Sequence, residues 1–265
     1  MSDYNYKRPL ILISNDDAYF AKGLQVLIDC ASKFGDVVVV APAAPMSGKS
    51  HSITSEFPLR ATLVDNDKCL KFYKVNGTPV DCIKLAFSEL LDVRPDLVLT
   101  GINHGSNTSV NVLYSGTMGA AMEGCLHGVP SVGFSLCSHS LIADFSNTIP
   151  YIEAVIKRVL DEGLPKHVCL NINFPKGKIK GMRVCRQAEG KWVEEFDKRS
   201  DPRSMDYYWL TGQFESAEQN DNDGDVGFID KGYASIVPVK VDMTDYEMID
   251  KMKSEGWNID DVMIN

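Results

Sequence analysis

Short, uninterrupted apolar runs alternate with stretches of helical spacing through the first half of the chain. Pro9 to Ser14 (PLILIS), Asp36 to Val40 and Asp96 to Thr100 (DLVLT) are apolar at successive positions and too short for helices. That is the pattern of strands covered on both faces. Gly23 to Phe34 places Leu24, Leu27, Ile28 and Ala31 on one side of a helix. Pro79 to Leu91 reads as a second helix, apolar at Cys82, Ile83, Leu85, Ala86, Leu90 and Leu91, with Pro79 in the first turn where its missing N–H costs nothing. Ser115 to Leu126 reads as a third, opened by Ser-Gly-Thr and stopped by Gly128-Val129-Pro130. Ser131 to Leu136 follows as a strand. This alternation predicts an α/β fold, an open parallel sheet with helices on both faces.

Beyond about residue 145 the pattern changes. Ile149 to Asp161 is helical and His167 to Ile172 a strand. Met182 to Gln187, Tyr207 to Thr211 and Tyr233 to Val239 alternate more cleanly, which suits antiparallel or edge strands. Glu215 to Gly224 (ESAEQNDNDG) is acidic and polar and reads as a mobile surface loop. Asp245 to Asn265 is expected to be one helix and a tail. The 265 residues suit one large domain, or one domain with an appendage, and no internal repeat interrupts them.

Composition narrows the function. Apolar residues make up 44% and charged residues 24%, which excludes extended disorder and fibrous proteins. The net charge of −9 disfavours general binding to nucleic-acid duplexes or anionic membranes, which need a basic face. A phosphate ligand would need local positive charge from a metal ion, a helix N-terminus or a few Lys and Arg. No apolar run is long enough to span a membrane, and the N-terminal run of about five residues is too short for a signal-peptide core. The seven cysteines are odd in number and lack a CxxC pair. They are expected to be reduced, buried thiols of a cytoplasmic protein.

Ligands of open parallel sheets bind outside the carboxyl ends of the strands. The residues that follow the predicted strands are therefore the candidates. Ser14-Asn15-Asp16-Asp17 follow the first, Ala41 to Ser52 (APAAPMSGKSHS) the second, and Gly101-Ile102-Asn103-His104-Gly105 the DLVLT strand. They offer paired carboxylates, serine hydroxyls and an amide, hard oxygen ligands that suit Mg²⁺, Mn²⁺ or Ca²⁺ rather than zinc. Two adjacent aspartates repel when both are ionised, and a cation relieves that. The plain alternative is that one of them only caps the next helix. Ser115-Gly116-Thr117 stands at a helix start, where free N–H groups and hydroxyls cradle a phosphate or merely cap the helix. Asn76-Gly77-Thr78-Pro79 is a similar turn. His104 is either a general acid or a structural hydrogen-bond partner. His51 is placed to contact substrate, and His127 belongs at a helix C-terminus. His139 and His167 are read as structural. The dinucleotide fingerprint, the P-loop and the nucleophile elbow are all absent, as is HExxH.

ILISNDDA at 11–18, APAAPMSGKSHSIT at 41–54, VNGTPVDC at 75–82 and LVLTGINHGSN with YSGTMGAAMEG between 97 and 124 resemble the SurE family. These are survival-protein nucleotidases, divalent-metal-dependent 5′/3′-nucleotide phosphatases. LNINFP at 170–175, SDPRSMDYYWLTG at 200–212 and DVGFIDKGYASIVPV at 225–239 extend the resemblance along nearly the whole chain. It implies a Rossmann-like core in one domain over 1–265 and one Mg²⁺ or Mn²⁺ per subunit, held by Asp16, Asp17, Ser47 and Asn103. It also implies a homodimer or homotetramer, built by a β-hairpin and helix extension in which about 200–245 is exchanged with a neighbouring subunit, with 246–265 as the C-terminal helix and tail. Tyr207, Tyr208 and Trp209 are then interface candidates. The expected substrate is a nucleoside 5′-monophosphate, and a 3′-monophosphate beside it. Asp16 and Asn103 are the catalytic candidates, with Asp16 orienting or deprotonating the attacking water. Ser115, Gly116 and Thr117 would hold the phosphate, and Gly48, His51, Asn76 and Thr78 the rest of the substrate, with Lys49 adding charge or merely solvated. The family has Gly where this chain has Ala18; should that position need φ > 0, Ala costs about 1 kcal/mol or more. Two other readings stand beside the phosphatase: a nucleoside hydrolase, and a non-catalytic metal- and nucleotide-binding regulatory protein.

Overall fold

The computed structural model describes residues 8–140, 142–218 and 221–258. Its core is a nine-stranded sheet. Six strands run parallel: β1 (Leu10–Ser14), β2 (Asp36–Pro42), β4 (Lys71–Val75), β5 (Leu97–His104), β6 (Ser131–Leu136) and β7 (Val168–Phe174). β3 (Ala61–Leu63) is antiparallel to β4 at one edge. At the other, β13 (Ala234–Lys240) is antiparallel to β7 and carries β8 (Met182–Val184) outside it. The spatial order is β3-β4-β2-β1-β5-β6-β7-β13-β8. The chain leaves β1 in one direction and returns to its other side at β5, so the strand order reverses between β1 and β5.

Successive residues of β1 point to opposite faces, and both faces are covered. Ile11, Ile13, Val37 and Val39 pack with Leu24, Leu27 and Ile28 of α1 (Lys22–Ala31) and Ile152 and Ile156 of α5 (Ile149–Glu162). Leu10, Leu12, Val38 and Val40 pack on the opposite face with Cys82 and Ile83 of α2 (Pro79–Leu85) and Ala120 of α4 (Gly116–Leu126). That double burial is why these strands lack alternation in sequence. α4 sinks almost wholly into the protein because Gly and Ala leave it thin. The seven cysteines are all free thiols, and burial raises every one whose titration is shifted.

Several elements differ from the sequence reading. The helix expected over 79–91 ends at Leu85 and continues as one π turn, Ala86–Leu90. β4 has lysines at positions 71 and 74 and buries only Phe72 and Val75, too sparse a pattern to stand out. The Met182 to Gln187 strand stops at Val184. The acidic stretch 215–224 is built rather than loose, in its described part. Arg186 grips Glu218 with two N–H···O bonds of 2.7 and 2.6 Å, and Asp221 accepts from the backbone N–H of Gly224 (2.5 Å) and Gly227 (2.9 Å). It leads into α6 (Asp225–Asp230). Two small antiparallel pairs stand apart from the sheet: β9 (Gly190–Val193) with β12 (Gln213–Ser216), and β10 (Phe196–Ser200) with β11 (Asp206–Leu210). The expected terminal helix is α7 (Tyr246–Ser254); the tail from 259 lies outside the described residues.

Candidate active site

β2, β1 and β5 are neighbours, so the segments after their carboxyl ends meet above the reversal point. β5 arrives there with one extra residue. Its register against β6 moves from Thr100↔Gly133 to Asn103↔Ser135, three residues on one strand against two on the other. Gly101 takes the bulge at φ +113°, where a Cβ would stand 2.2 Å from the Phe134 carbonyl oxygen. The bulge sets Asn103 at the site.

Asp16 is 3% exposed. Its Oδ1 accepts from Thr117 Oγ1 at 2.5 Å, and its carbonyl accepts from Met46 N at 2.7 Å. Burial first, then the neighbouring charge of Asp17, lifts its carboxyl to about 6 despite the Thr117 hydrogen bonds. Asp17 Oδ2 accepts from the backbone N–H of His104 at 2.9 Å, and the His104 ring lies 3.4 Å away through Nδ1. That ring stands edge-on to Phe145. Asn103 donates through Nδ2 to the Gly105 carbonyl at 3.0 Å, so Oδ1 is the atom it could offer a ligand. Asn15 donates to the Ala18 carbonyl at 2.8 Å and closes the turn, while its own Oδ1 is buried with no hydrogen-bond partner. Ala18 sits in that turn at φ +78°, so the position does require the left-handed conformation.

The residues fit a hard divalent cation. The donors are hard oxygens: the Asp16 carboxylate, raised by burial and then by its Asp17 neighbour, the Asp17 carboxylate, and the Asn103 amide oxygen, while Asn15 next to them in sequence keeps a buried oxygen without a hydrogen-bond partner. With only two carboxylates, the set relies on Asn and Ser oxygens. Among the described residues, three carboxylates converge at Glu218, Asp221 and Asp223, and the Arg186 guanidinium pairs with all three.

α4 begins against Asp16. A Cβ on Gly116 would lie 3.0 Å from Asp16 Cβ and 3.2 Å from Oδ2, so any side chain here would crowd Asp16. Ser115 caps the helix by accepting from Met118 N at 3.0 Å, and the Gly116 and Thr117 amides are first-turn donors that this cap does not take. Thr117 therefore faces Asp16 through its side chain, and the predicted cradle rests on backbone. Ser47, Gly48 and Lys49 are exposed on a loop pinned at both ends. Met46 binds Asp16 on one side; on the other, Ser50 bonds the Tyr114 and Leu113 carbonyls of α3 (Asn111–Tyr114) at 3.0 and 2.5 Å.

The remaining candidates carry structural bonds. His51 meets Glu123 at 2.9 Å, and Lys84 meets the same carboxylate at 2.8 Å. Burial would raise Glu123, but those two hydrogen bonds outweigh it and hold the group at about 2. His127 terminates α4 as expected, 3.4 Å from Glu123 and stacked on Phe87. His139 has its ring against Gly105, and His167 takes φ +64° at the start of β7. Asn76 braces the backbone at Arg60 (2.6 Å) and Pro58 (3.3 Å). Thr78 caps α2 in a capping box with Asp81 and donates to the Ser52 carbonyl at 2.7 Å. Both still line a cleft of about 280 Å³ with Met46, Lys49, Ile53 and Phe57. The cleft adjoins Asp16 through Met46, and Pro79 touches Gly116.

The loop after Asn103 is fastened from the far end of the chain. Asn107 N donates to Asn173 Oδ1 (2.8 Å) and Asn107 Nδ2 to Ser135 Oγ (2.7 Å). Ser109 N donates to Asp225 Oδ2 (2.9 Å), whose other oxygen accepts from Ala188 N (3.0 Å). Glu123, Phe57 and this buried set escaped the sequence reading, and Asn15 entered it only as part of the segment after the first strand. The one available signal was Glu123, the sole charge in an otherwise neutral segment from 103 to 124.

Comparison with known proteins agrees with this geometry. Residues 11–194 match the family model described as survival protein SurE. A protein named 5′-nucleotidase SurE from Phocaeicola vulgatus is 47% identical over 96% of this chain and 98% of its own. Its namesake from Christiangramia forsetii is 47% identical over 97% of this chain and 100% of its own. The crystal structure of the SurE protein from Aquifex aeolicus superposes with a TM-score of 0.81 at 36% identity, covering 93% of this chain and 99% of that one. A mostly parallel sheet reversing between β1 and β5, an aspartate pair at the reversal and whole-length similarity to these proteins lead to one conclusion: the chain belongs to the SurE family.

Proposed function

We propose that the protein is a 5′-nucleotidase, a phosphomonoesterase that hydrolyses nucleoside 5′-monophosphates, and 3′-monophosphates beside them, to nucleoside and phosphate. One observation carries the reading: at the sheet's reversal point Asp16 lies against the first turn of α4, and Asp17 accepts from the backbone N–H of the residue after Asn103. Asp16, Asp17, Ser47 and Asn103 would hold one Mg²⁺ or Mn²⁺ per subunit, which would supply Lewis-acid charge at the phosphoryl group and lower the pKa of the attacking water. The Gly116 and Thr117 amides and the Ser115 hydroxyl receive the phosphate oxygens. Asp16 orients the attacking water or takes its proton. Asn103 fixes the phosphoryl group beside it. The nucleoside lies in the adjoining cleft, against Phe57 and Ile53, with Gly48 and Lys49 at its mouth and Asn76 and Thr78 shaping its wall. His51 acts through the Glu123 bond that holds its loop.

The subunits associate through the exposed arms around β10 and β11, in a homodimer or homotetramer that exchanges about 200–245. The buried, unpaired thiols suit a cytoplasmic protein. Among the described residues no helix is long and apolar enough to cross a membrane.

The test is phosphate release from a panel of 5′- and 3′-nucleoside monophosphates with Mg²⁺, Mn²⁺ or EDTA, for the native protein and Asp16→Ala. Metal-dependent release that EDTA abolishes and Asp16→Ala lowers by at least ~10³-fold is expected. Full activity in a folded Asp16→Ala protein would refute the assignment. Release of free base would indicate a nucleoside hydrolase, and binding without turnover a regulatory module.

A further inference from the structure

The Ser-Gly-Thr helix start offers the Thr117 hydroxyl, with the free N–H groups, to a phosphate; the hydrogen bonds place that hydroxyl elsewhere. We propose that Thr117 is a positioning residue that fixes the Asp16 carboxylate, and that it does not bind the substrate phosphate through its hydroxyl.

A threonine hydroxyl has one proton to donate. An ionised carboxylate and a phosphate oxygen both only accept, so the proton serves one or the other. In this structure it is on Asp16 Oδ1, at 2.5 Å, within the range of a charge-assisted O–H···O⁻ bond. Thr117 is 0% exposed, so no water competes for that proton. The residue is also held from behind: Thr100 Oγ1 of β5 donates to the Thr117 carbonyl at 2.9 Å, likewise buried. A rigid path thus runs from β5 through the first turn of α4 to the carboxylate at the end of β1. It occupies one acceptor position of Oδ1, while Oδ2 lies on the side of Gly116. Fixing the carboxylate in this way spares its reorganisation when a ligand arrives.

The inference rests on the nucleotidase reading for its kinetic arm but not for its binding arm. The variants are Thr117→Val, which keeps the shape and removes the donor, and Thr117→Ser, which keeps the donor. Calorimetric titration of the purified protein with Mn²⁺ alone should show affinity about 10- to 100-fold weaker in Thr117→Val and restored within about threefold in Thr117→Ser. With a nucleoside monophosphate at saturating Mn²⁺, kcat should fall in Thr117→Val while KM stays within about threefold, and Thr117→Ser should recover kcat. A raised KM with unchanged kcat and unchanged Mn²⁺ affinity would make Thr117 a phosphate ligand and overturn the proposal. So would native protein that fails to bind Mn²⁺, or Thr117→Ser that loses it. If the native protein binds Mn²⁺ but hydrolyses no nucleotide, the functional reading fails and the Mn²⁺ titration still decides the role of Thr117. Should Thr117→Val not fold, Thr117→Ser and Thr117→Ala carry the same comparison.

Discussion

Ala18 is one of six non-glycine residues with positive φ among the described residues, and it stands beside the aspartate pair. Its φ of +78° is comfortable for glycine and unfavourable for any residue with a Cβ, by about 1–2 kcal/mol. The turn is held by Asn15, whose amide donates to the Ala18 carbonyl, and by the buried strand that feeds it. Ala18→Gly should therefore relieve strain and raise the thermal midpoint by about 2–4 °C per kcal/mol recovered, less the backbone entropy that glycine adds to the unfolded chain. Differential scanning calorimetry of the two proteins reads this directly; an unchanged or lower midpoint would mean the turn sets no such strain. The aspartates were legible from sequence because two adjacent carboxylates after a buried strand are costly without a purpose. Thr117, Asn76 and Thr78 were legible as positions but not as roles, since a hydroxyl or amide at a turn looks the same whether it faces a ligand or caps a backbone group.

At the scale of elements, Glu123 ties the 43–54 loop to α2 and α4. It sits inside α4, accepts from His51 on the loop and from Lys84 on α2, and is held at about 2 against an ordinary 4.5. A carboxyl depressed by folding stabilises the protein fully above its unfolded value and loses that contribution as pH falls through the folded one. The stability supplied by Glu123 is thus intact above about pH 4.5 and declines toward pH 2. Glu123→Gln should lower the thermal midpoint at neutral pH and flatten its decline across that window. Parallel curves for the two proteins would show that the network does not matter. This network was invisible in sequence because its three members lie 39 and 72 residues apart. β4 was missed for a related reason: it borrows its place from β2 and β3 and buries two side chains only. The long buried strands and α4 were legible because burial on every side leaves a composition that nothing else produces.

For the whole molecule, the uneven surface is the leading feature. Phe196, Tyr208, Trp209 and Leu210 stand exposed on the β10–β11 arm, Trp209 at 60%, while α7 buries nothing. An isolated two-stranded arm is marginal in water unless another surface covers it. Light scattering should report more than one subunit, and replacing Tyr208 and Trp209 by Ser should shift the protein toward monomer without altering its far-ultraviolet dichroism. A native monomer at micromolar concentration would remove the arm's proposed role. The sheet's order could be anticipated from strand–helix alternation in the first half, where each crossover leaves a helix behind. The arms could not, because alternating strands do not say which sheet they join.

The Asn107 and Ser109 bonds to Asn173 and Asp225 also bear on how the protein is made. Every proposed ligand lies within the first 117 residues, yet the loop that follows Asn103 is bolted to side chains more than a hundred positions later in the case of Asp225. A ribosome that has delivered the whole aspartate and asparagine set has not delivered a finished site. Synthesis must reach α6 before the Ser109 bond to Asp225 can form.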